Sequence, residues 1–177
     1  MEVRSLLFLT VFIASAHQVL LGNTSGDWTY TVSGSEATIT GYSGAGGAVE
    51  IPAVVDGISV VKVGDGSPPI FGYGNTTVTS VTIPDSVTSI GDFAFYGCTS
   101  LTSISIPDSV TSINDRAFSE CTSLASITVD TGNSNFSSLD GVLFNKLQTL
   151  LIQYPAGILN NSYTIPDSVT SIGKHAF

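Results

Sequence analysis

Cys98 and Cys121 lie 23 residues apart, and so do Asp92 and Asp115; with two histidines, these are the side chains through which the chain could do chemistry. Paired thiols can close a disulfide or begin a metal set. Paired carboxylates can act as general acid and base. Both pairs, however, hold the same place in two nearly identical stretches. IPDSVTSIGDFAFYGCTSLTSIS (83–105) runs directly into IPDSVTSINDRAFSECTSLASIT (106–128), with agreement at 17 of 23 positions. Equivalent side chains of stacked copies sit about 4.8 Å apart, close enough for a disulfide. Inward-facing equivalents also pack well as a ladder of small thiols, and two buried free cysteines are the preferred reading. No His or third Cys stands nearby in register to complete a metal site. Asp92 and Asp115 read as solvated repeat positions. A nucleophile–base pair needs a held base, and the histidines offer little: His17 stands near the start, and His175 occupies the place of Phe93 and Arg116 in the sister copies. Asp130-Thr131-Gly132-Asn133-Ser134-Asn135 has a calcium loop's composition but lacks the sixth-position Gly and the closing Glu. It reads as a turn. No catalytic, cofactor or metal residue is assigned.

A fixed period of 20–29 residues marks a solenoid whose units bury their apolar faces only by stacking. IPDSVTSIGKHAF (165–177) begins a third copy. Within the unit, Leu101-x-x-Ile104-x-Ile106 and Leu124-x-x-Ile127-x-Val129 have the spacing of a parallel strand with alternate residues inward. Pro84 and Pro107 end each strand because proline cannot donate to the ladder. Val87, Ile90, Ala94, Phe95 and Cys98 return to the interior on the opposite wall. The expected fold is a mainly β repeat solenoid with coils of 23 residues, an N-terminal β-hairpin cap and one hairpin insertion. The cap spans 23–50, where Trp28, Tyr30 and Val32 share one phase and Ala37, Ile39 and Tyr42 follow a Ser33-Gly34-Ser35 break. The solenoid spans 51–177. It opens on a degenerate coil at 51–82, with an enlarged loop at Asp65–Pro69, and carries an insertion at 129–164 whose hairpin flanks Asn145-Lys146. The last coil reads as truncated at Phe177.

The first residues have the pattern of a secretory leader. Arg4 precedes an apolar run, Leu6–Ile13, and Ala14-Ser15-Ala16 fits the cleavage rule, giving a leader of 1–16 with an alternative end near 22. The run is shorter than the ~20 residues of a membrane span, so no membrane insertion is expected once the leader is removed. Five Lys or Arg against fourteen Asp or Glu give a net charge of −9, which excludes nucleic acid as a partner for want of a basic stripe. Four glycosylation sequons begin at Asn23, Asn75, Asn135 and Asn160.

The unit Ile-Pro-x-x-Val-x-x-Ile-x-x-x-Ala-Phe-x-x-Cys-x-x-Leu resembles the BspA-like leucine-rich repeat family of bacterial and some protozoan surface proteins. The resemblance covers about 51–177, and the segment Leu139–Phe144 with Tyr154-Pro155 is similar to an insertion of that family. Ser86, Ser109 and Ser168 stand where ordinary leucine-rich repeats carry an inward Asn, a departure that favours the subclass. The resemblance implies a secreted or cell-surface protein that binds an extracellular, host or matrix protein, with adhesion as one use and no catalysis of its own. The rival reading is a targeting or spacer domain of a larger enzyme or anchored protein.

Positions that differ between copies are those that stacking leaves free. Phe93 and Tyr96 in one coil and Arg116 in the next are the large aromatic and cationic ones, the types that anchor protein interfaces. They are the candidate partner-binding residues, and the aromatic pair would equally shield the coil edge.

Overall fold

The computed structural model describes residues 22–159 and 162–177, so the leader expected at 1–16 lies outside the described residues. Among the described residues there are strands, turns and connecting segments and no helix. The chain opens with an antiparallel meander of β1 (Asn23–Ser25), β2 (Trp28–Ser33) and β3 (Glu36–Tyr42). The hairpin expected within 23–50 is β2–β3, with β1 added along its outer side. β4 (Gly47–Glu50) already belongs to the solenoid. Alternation carries Tyr30, Ala37 and Ile39 inward to near-zero exposure, while Val32, in the same phase but next to the turn, is exposed. Tyr30 Oη and Ser25 Oγ donate to Asp56 at 2.7 and 2.9 Å and latch the cap to the first coil. These hydrogen bonds, Tyr30's above all, hold the Asp56 carboxyl below its usual pKa.

The coils build two parallel walls. After β5 (Val54–Val55), which turns back antiparallel, β6 (Ile58–Val63) pairs with β3. β7 (Val78–Thr82) then returns beside β4. The regular coils add β8 (Ser89–Ile90) and β10 (Ser112–Ile113) to the first wall, and β9 (Ser103–Ile106) and β11 (Ser126–Val129) to the second. Register follows the sequence period: Val63 faces Ile90, Ile90 faces Ile113, and Ile104 faces Ile127. Val87, Ile90, Ala94, Phe95, Cys98, Leu101, Ile104 and Ile106 are all buried between the walls. Each such side chain stabilises by about 1.5–3 kcal/mol when fully buried, which accounts for the near-identity of the copies on packing grounds. Ser109 Oγ donates to Val87 O at 2.7 Å, so the serine in the usual Asn position ties this coil to the one before.

The insertion holds the hairpin expected across Asn145-Lys146 and pairs a further strand to each of its arms. β12 (Phe136–Leu139) pairs with β13 (Val142–Asn145) through a turn in which Asp140 and Gly141 take φ of 49° and 82°, the pair of positive angles a tight hairpin favours. β13 then pairs antiparallel with β14 (Leu150–Gln153), and β14 pairs in parallel with β15 (Ser171–Ile172). The segment thus joins the stack as a coil in its own right. Its anchor is Asn133, which is fully buried. Asn133 Nδ2 donates to Pro107 O and Val110 O, and its Oδ1 accepts from the Asn135 and Phe136 amides. Among the described residues no helix is long and apolar enough to cross a membrane.

Candidate functional site

Each of the three near-identical copies turns a corner between its first-wall strand and the phenylalanine that follows, and the corner residue has a positive φ. Phe93 (57°), Arg116 (59°) and His175 (59°) occupy this place in the three copies. Non-glycine residues adopt the left-handed region at a cost of ~1–2 kcal/mol. The stack holds it there: Phe95 N–H donates to Ala117 O at 2.8 Å, and Tyr96 N–H and Ser119 N–H close the turn on Phe93 O and Arg116 O. The corner points its side chain away from the core, which is why the copies are free to differ at it.

Phe93, Tyr96 and Arg116 come together. The Phe93 and Tyr96 rings meet edge-on at 5.4 Å, and the Arg116 guanidinium carbon lies 5.5 Å from the Phe93 centroid, a cation–π distance. Tyr73 extends the cluster, 6.0 Å from Tyr96 and 65% exposed. Sequence reasoning passed over Tyr73 because its coil is degenerate. The signal was present nonetheless: Tyr73-Gly74 and Tyr96-Gly97 are 23 residues apart, and the two glycines are in near contact across the coils. Phe93 and Tyr96 are half-buried, so they cover the coil edge and present ring surface to solvent at once.

Beyond Arg116 the surface falls into a hollow of about 340 Å3, with Tyr96, Phe118, Phe177, Gln153 and His175 in its walls. An adjoining cavity of about 230 Å3 shares Arg116, Phe118 and Gln153 and adds Lys174 and Asp115. Exposed His175 therefore lies beside the cluster.

The other chemical candidates are separate. Cys98 and Cys121 are free and buried, with Cys121 Sγ donating to Phe95 O. Burial pushes both thiols up to about 12, far from the thiolate form a nucleophile needs. The Asp130–Asn135 segment is an Asx turn: Gly132 N–H donates to Asp130 Oδ1 at 2.8 Å, and Lys146 Nζ sits against Thr131 O and Asn133 O. An ammonium already occupies the carbonyl oxygens that a cation would use. Among the described residues no group of three His, Cys, Asp or Glu could hold a metal. Asp92 and Asp115 stand on successive coils, half-buried and exposed respectively.

Solved structures with the same fold are bacterial repeat proteins. A leucine-rich repeat protein of T. pallidum is 30% identical with a TM-score of 0.59, over 88% of this chain and 65% of that one. A leucine-rich repeat protein of Bacteroides ovatus is 28% identical with a TM-score of 0.53, over 85% of this chain and 37% of that one. A third, from Bacteroides capillosus, is 24% identical with a TM-score of 0.51, over 86% and 96%. The chain thus spans less than two thirds of the length of the first two. No curated protein matches it significantly. Residues 70–177 match the BspA type leucine rich repeat region, in six copies. With its 23-residue coils, two parallel walls and buried Ile-Ala-Phe-Cys-Leu interior, the chain belongs to the BspA-type leucine-rich repeat family.

Proposed function

We propose that the protein is an extracellular recognition module that attaches to a host or matrix protein through the cluster of Tyr73, Phe93, Tyr96 and Arg116. The supporting observation is the assembly of aromatic and cationic side chains at the corner and edge positions that stacking leaves free. Such side chains supply most of the energy of protein interfaces. The surrounding acidic surface contributes solubility and discourages unspecific contact. Membership of a family of surface proteins and the leader pattern at 1–16 support an exported location.

The test is attachment of the mature protein to a panel of immobilised matrix proteins. Wild type should bind one of them saturably. The triple variant Phe93→Ala, Tyr96→Ala, Arg116→Ala should melt within a few degrees of wild type, since none of the three is in the buried set. Its binding should weaken tenfold or more, a loss of ~1.4 kcal/mol. A triple variant that binds undiminished removes this cluster from the function.

A further inference from the structure

An aromatic column runs along the solenoid and breaks at one place. Trp28, Tyr42, Phe71, Phe95 and Phe118 follow one another at centroid distances of 4.6, 5.4, 6.0 and 5.5 Å. Tyr154 and Phe177 resume it at 5.4 Å. Among the described residues Phe118 has no ring partner on the Tyr154 side.

The break has a definite cause in the chain. Leu151 pairs with Ile172 as Ile90 pairs with Ile113. Tyr154 N–H donates to Ala176 O as Phe95 N–H donates to Ala117 O. Leu151 and Tyr154 therefore stand in the isoleucine and phenylalanine places of a coil. In regular coils those places are five residues apart, in the insertion only three. The two missing residues remove the corner that carries Phe93, Arg116 and His175 elsewhere, and β10 pairs with β8 alone among the described strands. The vacated space opens as the 230 Å3 cavity between Asn114–Phe118 and Leu150–Gln153 and continues into the adjoining 340 Å3 hollow.

Its size lies at the low end of ligand sites, about 300–1,000 Å3, enough for one large side chain and a neighbouring group but not for an extended polymer. Its walls combine the exposed Phe177 ring and the buried edge of Phe118 with Arg116, His175 and the Gln153 amide; Glu120 stands at the same hollow. Arg116 and Lys174, two of the four Lys and Arg among the described residues, serve this region of an acidic protein. Ring surface beside a guanidinium suits a planar group next to a carboxylate.

We propose that the hollow left by the two-residue deletion receives an aromatic side chain of the protein partner, with a carboxylate beside it held by Arg116. This rests on the protein-recognition reading and names the feature of the partner that is gripped.

The test needs no partner, so it succeeds or fails independently of the attachment assay. Amide chemical shifts of the protein are followed during titration with N-acetyl-L-tryptophan, N-acetyl-L-tryptophanamide and N-acetyl-L-leucine. The first should produce saturable shifts at Gln153, Ser119 and His175. The amide, lacking the carboxylate, should bind at least threefold more weakly, and the leucine derivative should produce no saturable shift. Ser119→Tyr is the blocking variant: it places in this coil the residue that Tyr96 already supplies at the same position in the preceding one, so the fold accepts it. It should reduce tryptophan affinity at least tenfold. Equal binding of the leucine and tryptophan derivatives, shifts that map away from the hollow, or undiminished binding by a folded Ser119→Tyr protein would each overturn the proposal.

Discussion

Arg116 lays its guanidinium over the ring of Phe93 on the preceding coil, and both residues hold the same left-handed corner, at φ of 59° and 57°. The contact across coils is therefore set by the period: equivalent corners stack, and any two side chains placed there become neighbours.

The corner gives Arg116 an unusual mutational signature. Arg116→Gly relieves a backbone cost of ~1–2 kcal/mol but adds ~0.5–1 kcal/mol of unfolded-state entropy. It also loses a cation–π contact of ~0.5–1 kcal/mol. Stability should stay within about 1 kcal/mol of wild type by denaturant melt, while attachment drops. Arg116→Val, β-branched in a region such residues avoid, should destabilise by about 1–3 kcal/mol.

Stacking energetics predict a reversal of the usual ranking of damage. Leu124, 1% exposed, should cost about 2–5 kcal/mol on change to Ala. Deleting the whole coil 106–128 should be tolerated better, because Pro84 O and Val87 O then take the places of Pro107 O and Val110 O beneath Asn133. Thermal melts that rank the deletion below the point change would contradict a stacked-coil energetics.

Asn133 is the residue on which the insertion hangs. Asn133→Ala leaves two carbonyls and two amides without their partner, each at ~1–3 kcal/mol if no water reaches it. A loss of about 2–4 kcal/mol is expected, with hydrogen exchange accelerating first in β12 and β13. Uniform acceleration across all coils would show that Asn133 has no special place.

The thiols set an alkaline limit. Burial raises both from 9.0 to about 12, so the folded state favours the neutral form. A folded pKa above the unfolded one gives stability that is fully present below pH ~9 and is lost as pH rises towards 12. Denaturation midpoints should fall across that window, less so in Cys98→Ala, and iodoacetamide at pH 8 should label only unfolded protein. Rapid labelling of the native protein would refute the buried-ladder geometry.

Export has a direct readout. Material secreted by a host that processes leaders should begin near His17, and recovery of intact Met1 from the cytoplasm would count against the pattern at Leu6–Ala16.

Much of the architecture was legible because the chain repeats itself. Ile90 over Ile113 and Ile104 over Ile127 follow from two copies in phase, and so does the meeting of Phe93, Tyr96 and Arg116. What stayed hidden lies where the period fails. The 129–164 stretch read as a hairpin between coils because two apolar runs flank Asn145-Lys146, and β13 and β14 form it; that β14 also joins β15 depends on backbone pairing with a coil far along the chain. Asn133 looked like one polar residue in a polar turn, since only the approach of Pro107 O and Val110 O makes it an anchor. Tyr73 was lost to an irregular loop, and the hollow to a two-residue shortening that matters only after Leu151 and Tyr154 are set in register.

The left-handed corner separates the part of each coil answerable to folding from the part answerable to a partner. Change at positions that face the interior or feed the ladder is vetoed by the neighbouring coils. At the corner the backbone conformation is already imposed by the stack, and Phe, Arg and His are all accepted. Recognition can therefore be rewritten one coil at a time, like type in a fixed frame, without renegotiating the scaffold.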